Sequence, residues 1–241
     1  MEKMLQYSDS NTSRIILALD VSTDTEAYNI LNLIGSSIKW VKVGLQLFLK
    51  YGRPFIENLY KKKYNIFLDL KLYDIPNQVS AGIKSLKDLP IKMLSVHISG
   101  GSEMLKTALE AQRNTNPNLQ LVGVTMLTSI NQKILISTGI YDTPMQQVLR
   151  LAKIATSVGF NHLVCSPLEV KTLHKFISND IILITPGIRS STMNVFDQKR
   201  TLNAKETIAV GANFLVIGRP IIFSKNPASA VIDIQNEISK A

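Results

Sequence analysis

One cysteine, one tryptophan and three histidines in 241 residues leave little room for several kinds of chemistry. With Cys165 alone, no intramolecular disulfide can form, which suits a reducing compartment. His162 and His174 have no acidic or cysteine partners at ligand spacing, so no metal site is expected. No apolar run approaches the roughly 18 residues that span a bilayer. Met1–Ser13 is polar and lacks the apolar centre of a secretory signal. The expectation is a cytoplasmic protein with no membrane contact. Acids are also scarce, 18 against 27 Lys and Arg, for a net charge of +9. That excess does not outline a nucleic-acid surface. The lysines are scattered, and the one run, Lys61-Lys62-Lys63, falls at an expected helix end, where cations suit the dipole. Aromatic and basic residues do not interleave as a single-strand groove requires. A basic protein that takes an anionic nucleotide accounts for the charge more simply.

What is present is a repeated alternation. Hydrophobic content of 45% and charged content of 19% are ordinary for a globular protein, and the length suits one large α/β domain. Short apolar runs at Ile15–Asp20, Trp40–Val43, Phe67–Tyr73, Met93–His97, Leu121–Met126, His162–Cys165, Ile181–Thr185 and Phe214–Ile217 read as strands. Between and after them lie amphipathic stretches: Thr23–Ile34, Leu45–Lys62, Asn77–Leu86, Ser102–Arg113, Pro144–Val158, Pro167–Ile177, Ala204–Val210 and Pro227–Lys240. Long connections follow the fifth and seventh strands. Eight such alternations predict a single (β/α)8 barrel over residues 14–241, with residues 1–13 as a polar N-terminal extension. A doubly wound open sheet is the alternative. In a barrel, polar residues of use should recur where strands exit at their C-terminal ends.

They do, most densely at Phe67-Leu68-Asp69-Leu70-Lys71-Leu72-Tyr73-Asp74-Ile75-Pro76-Asn77. Residues two apart share a strand face, so Asp69 and Lys71 are expected to project together above Phe67. Leu68, Leu70 and Leu72 face the other way, beneath helices. Pro76 cannot donate to a ladder, so the strand should end near Tyr73 and leave Asp74 in the loop. Charges inside an apolar strand are costly unless paired or used. An isolated Asp-x-Lys is better explained by a structural ion pair at a strand end. Lys42, inside Trp40-Val41-Lys42-Val43-Gly44, faces either a polar cavity or solvent along its stem. If the second and third strands are neighbours, Lys42, Asp69, Lys71 and Asp74 can form a row of alternating charge. Asp20 ends the first strand, although Ser22 or Thr23 suits the cap of the next helix better.

Weaker signals surround these. Thr128 lies just beyond the fifth strand, where a turn-stabilising threonine is an equally good reading. His97 reads as structural, and Cys165 as core. The last quarter carries Arg189 after the seventh strand, Gln198 in the following loop, and Gly218-Arg219 after the eighth. Barrels often bind phosphate in these two loops, where glycine admits close approach and arginine offers a planar fork.

Asp-x-Lys-x-x-Asp-Ile-Pro-Asn resembles the signature of the orotidine 5′-phosphate decarboxylases, which complete pyrimidine nucleotide synthesis. The resemblance runs from Asp20 to Arg219. It departs at Gln78, where the family usually has Thr, and at Tyr73, where His is frequent. It implies decarboxylation of orotidine 5′-phosphate to UMP without a cofactor, with Lys42, Asp69, Lys71 and Asp74 as the catalytic charge network. It further implies that Asp20 and Asp74 meet ribose hydroxyls and that Thr128 meets the pyrimidine. Gln78 takes the place of a hydroxyl that contacts the nucleotide. Gln198 and Arg219 would grip phosphate, with Arg189 and Gly218 as further contacts. It implies a homodimer in which Asp74 and Ile75 reach the partner's site. Two rivals remain at this level. One is a metal-dependent sugar-phosphate decarboxylase or aldolase on the same barrel, disfavoured by Pro76-Asn77 and by the want of a clear acidic metal cluster. The other is a non-catalytic nucleotide- or nucleic-acid-binding protein, disfavoured because Lys42 and Lys71 lie within apolar strands.

Overall fold

The computed structural model describes residues 14–189 and 202–241, Arg189 by its backbone alone. Among these residues, eight parallel strands close into a barrel. They are β1 (Ile15–Ala18), β2 (Trp40–Gly44), β3 (Asn65–Leu72), β4 (Met93–His97), β5 (Gln120–Val124), β6 (His162–Val164), β7 (Ile182–Pro186) and β10 (Phe214–Ile217). β8 (Ile188–Arg189) and β9 (Leu202–Asn203) pair separately outside the ring. β1 bonds to both β2 and β10, which closes the barrel and removes the open-sheet alternative. The helices are α1 (Asp24–Ile34), α2 (Leu45–Lys61), α3 (Pro76–Ser85), α4 (Gly101–Thr115), α5 (Gln132–Ser137), α6 (Pro144–Val158), α7 (Pro167–Phe176), α8 (Ala204–Ala209), α9 (Arg219–Ile222) and α10 (Pro227–Ile238).

Strand alternation divides the apolar residues into two sets. Ile16, Ala18, Trp40, Phe67, Met93, Val122, Ile184 and Phe214 fill the barrel interior, and the ring of Phe214 meets Trp40 edge-on at 5.7 Å. Ile15, Leu17, Val41, Val43, Ile66 and Leu68 face outward, against the buried stripes of the helices. Local chemistry sets several helix starts. Thr23 caps α1 in a capping box with Glu26, and Thr143 does the same for α6 with Gln146.

Three sequence expectations need correction. The second helix is not continuous, because Gly52 adopts φ 59 and breaks it two residues before Pro54, which has no N–H to continue the first segment. The long connection after β5 holds a helix that the periodicity did not mark: α5 lies within it, capped by the Asn131 side chain accepting from the Ile134 N–H. The first strand ends at Ala18, but the Leu19 N–H still donates to the Lys42 carbonyl at 3.0 Å, so Asp20 stands one step beyond the ladder.

His162 lies in the ladder between Val122 and Ile182, 4% exposed. Burial pushes its imidazole down to about 4 from the ordinary 6.5. Between these values the unfolded chain binds a proton that the folded barrel refuses, so stability falls as pH drops from 6.5 towards 4. The full fall is about 3 kcal/mol. Urea unfolding of wild type and His162→Gln from pH 7.5 to pH 4.5 should show the variant with the flatter profile. Parallel profiles would contradict the assignment.

Candidate active site

The strands deliver a row of charge to the C-terminal mouth of the barrel. Lys42 pairs in register with Ala18 on one side and Phe67 on the other, so its side chain enters the barrel between β1 and β3. It is 9% exposed, which excludes the solvent-facing reading. Its Nζ donates to Asp20 Oδ1 at 2.9 Å and lies 3.5 Å from Asp69 Oδ2. Lys71 Nζ donates to the same Asp69 Oδ2 at 2.8 Å. The row therefore runs Asp20, Lys42, Asp69, Lys71, with Asp20 the open end and Asp69 the buried centre.

Burial alone would raise the Asp69 carboxyl, but the cations of Lys42 and Lys71 outweigh it and hold the group below the ordinary carboxylate range. Burial likewise pulls Lys42 down, yet Asp69 and Asp20 more than compensate and its ammonium is raised. Charge inside the barrel is tolerable here because each buried member has an opposite neighbour at ion-pair distance.

The β3 strand is not regular at its exit. Leu68 pairs with Leu94 and Leu72 with Val96, so four steps on β3 oppose two on β4. Within this excess Lys71 takes φ 50, a left-handed conformation that a non-glycine residue seldom adopts. Asp69 and Lys71 do meet, as the alternation predicts, but across a bulge rather than along an ideal strand. Ser95, opposite the bulge and fully buried, was not singled out by the sequence. Its hydroxyl accepts from the Lys71 N–H and donates to Asp69 Oδ1, each at 2.8 Å. The available signal was a polar residue on the inward face of Met93-Leu94-Ser95-Val96-His97, between two strand ends already rich in charge.

A family model described as Orotidine 5'-phosphate decarboxylase / HUMPS family matches residues 13–234. The chain belongs to that family. The orotidine 5′-phosphate decarboxylase of Opitutus terrae is 41% identical over 224 residues, which cover 93% of this chain and 97% of that protein. The orotidine 5′-phosphate decarboxylase of Actinobacillus succinogenes is 40% identical over 230 residues, 94% of this chain and 98% of its own. The crystal structure of orotidine 5′-phosphate decarboxylase from Lactobacillus acidophilus superposes with a TM-score of 0.82 at 37% identity, over 93% of this chain and 98% of that one.

Not all of the remaining site candidates of this family member stand beside the row. Gly218 stands beside the row: a Cβ there would lie 3.3 Å from the Ala18 Cβ and 3.8 Å from Asp20 Oδ2. Arg219 follows at the first residue of α9, so the last barrel strand delivers its Gly-Arg next to Asp20. Thr128 is half-buried in the turn Leu127–Ile130, above β5. Asp74 is the exception to the expected row. It is exposed, its Oδ1 accepts from the Ile75 N–H at 2.7 Å, and within one chain Asp20 takes the fourth place instead. Ile75 and Gln78 lie at and just inside the start of α3, with Ile75 62% exposed. Arg189 pairs with Asn203 through its backbone. Gln198 and residues 1–13 lie outside the described residues.

The Tyr73 ring, in the position where His is frequent, lies 5.8 Å from that of His97. Burial and then the Lys71 cation push His97 below its ordinary value. Cys165 is fully buried and its thiol is pushed up by burial, which leaves it in the core as the sequence predicts.

Proposed function

We propose that the chain decarboxylates orotidine 5′-phosphate to UMP and CO2 without a cofactor, with Lys71 as the proton donor, in the last step of pyrimidine nucleotide synthesis. The observation that carries the reading is the ion-paired row at the barrel mouth, which ends on Lys71 Nζ at 2.8 Å from a buried carboxylate. Breaking the bond from C6 to the carboxylate leaves an electron pair on C6 of the pyrimidine. The Lys71 ammonium stabilises that pair as it develops and then transfers a proton to it, while CO2 departs. Asp69 anchors Lys71, and Lys42 ties Asp69 to Asp20, so the donor is aimed before substrate arrives. Stabilisation offered more strongly to the anion than to the substrate is what accelerates the step.

Asp20 meets a ribose hydroxyl, and Thr128 meets the pyrimidine. Gln198 and Arg219 grip the phosphate, Arg189 and Gly218 add further substrate contacts, and Gln78 serves where its relatives usually carry Thr. The position of Gly218 beside Asp20 supports this, since one nucleotide can then reach from the row to the loop after β10. Asp74 and Ile75 complete the site of a second copy. Their exposure, together with that of Tyr73 at 64%, supports a homodimer. The enzyme works in the cytoplasm.

Purified protein mixed with orotidine 5′-phosphate should lose the orotate chromophore and yield UMP, at the same rate with EDTA present. Absence of turnover would sink the substrate assignment, and loss of turnover in EDTA would make the reaction metal-dependent. A fully active monomer in sedimentation velocity would remove the shared-site part.

A further inference from the structure

We propose that Ser95 is a positioning residue for the reaction assigned above: its hydroxyl holds Lys71 in its left-handed turn and fixes which oxygen of Asp69 faces the lysines. The inference rests on that assignment for its effect on rate, but not for the geometry it describes. A hydroxyl has one hydrogen and two lone pairs, and Ser95 uses both kinds at once, each at 2.8 Å. It accepts from the backbone of Lys71 and donates to the carboxylate that pairs with the side chain of Lys71. The result is a closed circuit: Lys71 N–H, Ser95 Oγ, Asp69 Oδ1, and from Asp69 Oδ2 back to Lys71 Nζ.

Each link has a separate consequence. In a regular parallel ladder the Lys71 N–H would turn towards β2, as that of Asn65 turns to the Lys39 carbonyl, but in the bulge it faces Ser95 on β4 instead. Left unpaired, that N–H would carry the desolvation cost of an unsatisfied donor. A left-handed lysine carries a cost of its own. The turn persists because Ser95 satisfies the donor only in this conformation. Relaxation of φ to the ordinary strand range would swing the Lys71 side chain to another direction. The second link occupies Oδ1 with a neutral donor, which leaves Oδ2 as the one oxygen shared by Lys71 at 2.8 Å and Lys42 at 3.5 Å. Without it the carboxylate is free to rotate and to divide its oxygens between the two ammoniums.

Packing does not require a serine here. Ser95 is fully buried between Leu94 and Val96, where Ala or Val would fill a strand position at least as well.

The test uses wild type, Ser95→Ala and Ser95→Cys, the last retaining size but offering only a weak donor and acceptor. In Ser95→Ala the turnover number should fall about 10- to 100-fold, while the Kd for UMP stays within about threefold. Hydrogen exchange at the Lys71 amide should quicken at least about tenfold as its partner is lost. Ser95→Cys should show the same split, with a smaller fall, and it carries the test if Ser95→Ala does not fold. A folded variant with kcat within about threefold of wild type, or with unchanged Lys71 exchange, overturns the proposal. Wild-type protein inactive on orotidine 5′-phosphate would defeat the functional assignment instead. Lys71 exchange in the variants would then still decide whether the circuit exists.

Discussion

Lys71→Ala loses decarboxylation by roughly 10⁴-fold or more, the product of a missing proton donor and a missing cation beside the developing charge. The affinity for UMP changes by less than about tenfold, because UMP carries neither the departing carboxylate nor the anion that Lys71 meets. The fold survives the change. Lys71 is the outer member of the row, its side chain 35% exposed, and removing it leaves Asp69 still 3.5 Å from Lys42 and accepting from Ser95. Turnover by single-turnover kinetics, UMP binding by calorimetry and the urea midpoint together check the prediction. A variant that keeps substantial turnover would show that another group delivers the proton.

Asp69→Asn is the second large effect, and it strikes stability and rate together. The substitution keeps shape but removes the charge that Lys42 and Lys71 share. Breaking a buried ion pair from one side costs about 3–5 kcal/mol. The lower end applies here, since Lys42 keeps Asp20 at 2.9 Å and Lys71 is partly solvated. Turnover should fall about 10³-fold as the donor loses its anchor. The pH dependence has a definite sign. The Asp69 carboxyl is held below the ordinary range, so its stabilisation is complete above the unfolded value of about 3.9. It is lost as pH falls through the lower folded value. Asp69→Asn should therefore be less stable at pH 7 but lose less on acidification than wild type. Equal urea midpoints at pH 7, or equal acid slopes, would show that Asp69 is not the centre of a coupled row.

The gain from a prearranged row is that the protein bears the cost of confining like and unlike charges during folding, not during each turnover. Lys42 contributes no proton in this scheme. Its task is electrostatic: it neutralises Asp69 from behind and draws Asp20 to the mouth, so that the one ammonium left facing outward is Lys71. The interior aromatic floor of Trp40, Phe67 and Phe214 keeps water from the buried side of the row, which strengthens each of these interactions relative to solvent.

Much of this was legible along the chain, because its determinants are local. The alternation of apolar runs and amphipathic stretches located the barrel strands, with β4, α6 and β10 at their expected bounds. A lysine within Trp40–Gly44 and an aspartate within Asn65–Leu72 marked the site, since few other arrangements make such charges affordable. Gly52 and Pro54 contained the break in α2, which the periodicity concealed.

Other features depended on tertiary structure. The left-handed turn at Lys71 falls within the register shift between β3 and β4, and its N–H meets a hydroxyl 24 residues further on. Asp20 entered the row, and Asp74 stayed out of it within a single chain, because pairing sets β1 beside β2, and so Asp20 beside Lys42, while Asp74 lies exposed beyond the end of β3. Sequence periodicity reports which face a side chain occupies. It does not report which distant strand lies opposite, and the hydrogen bonds that aim the Lys71 amine cross that gap.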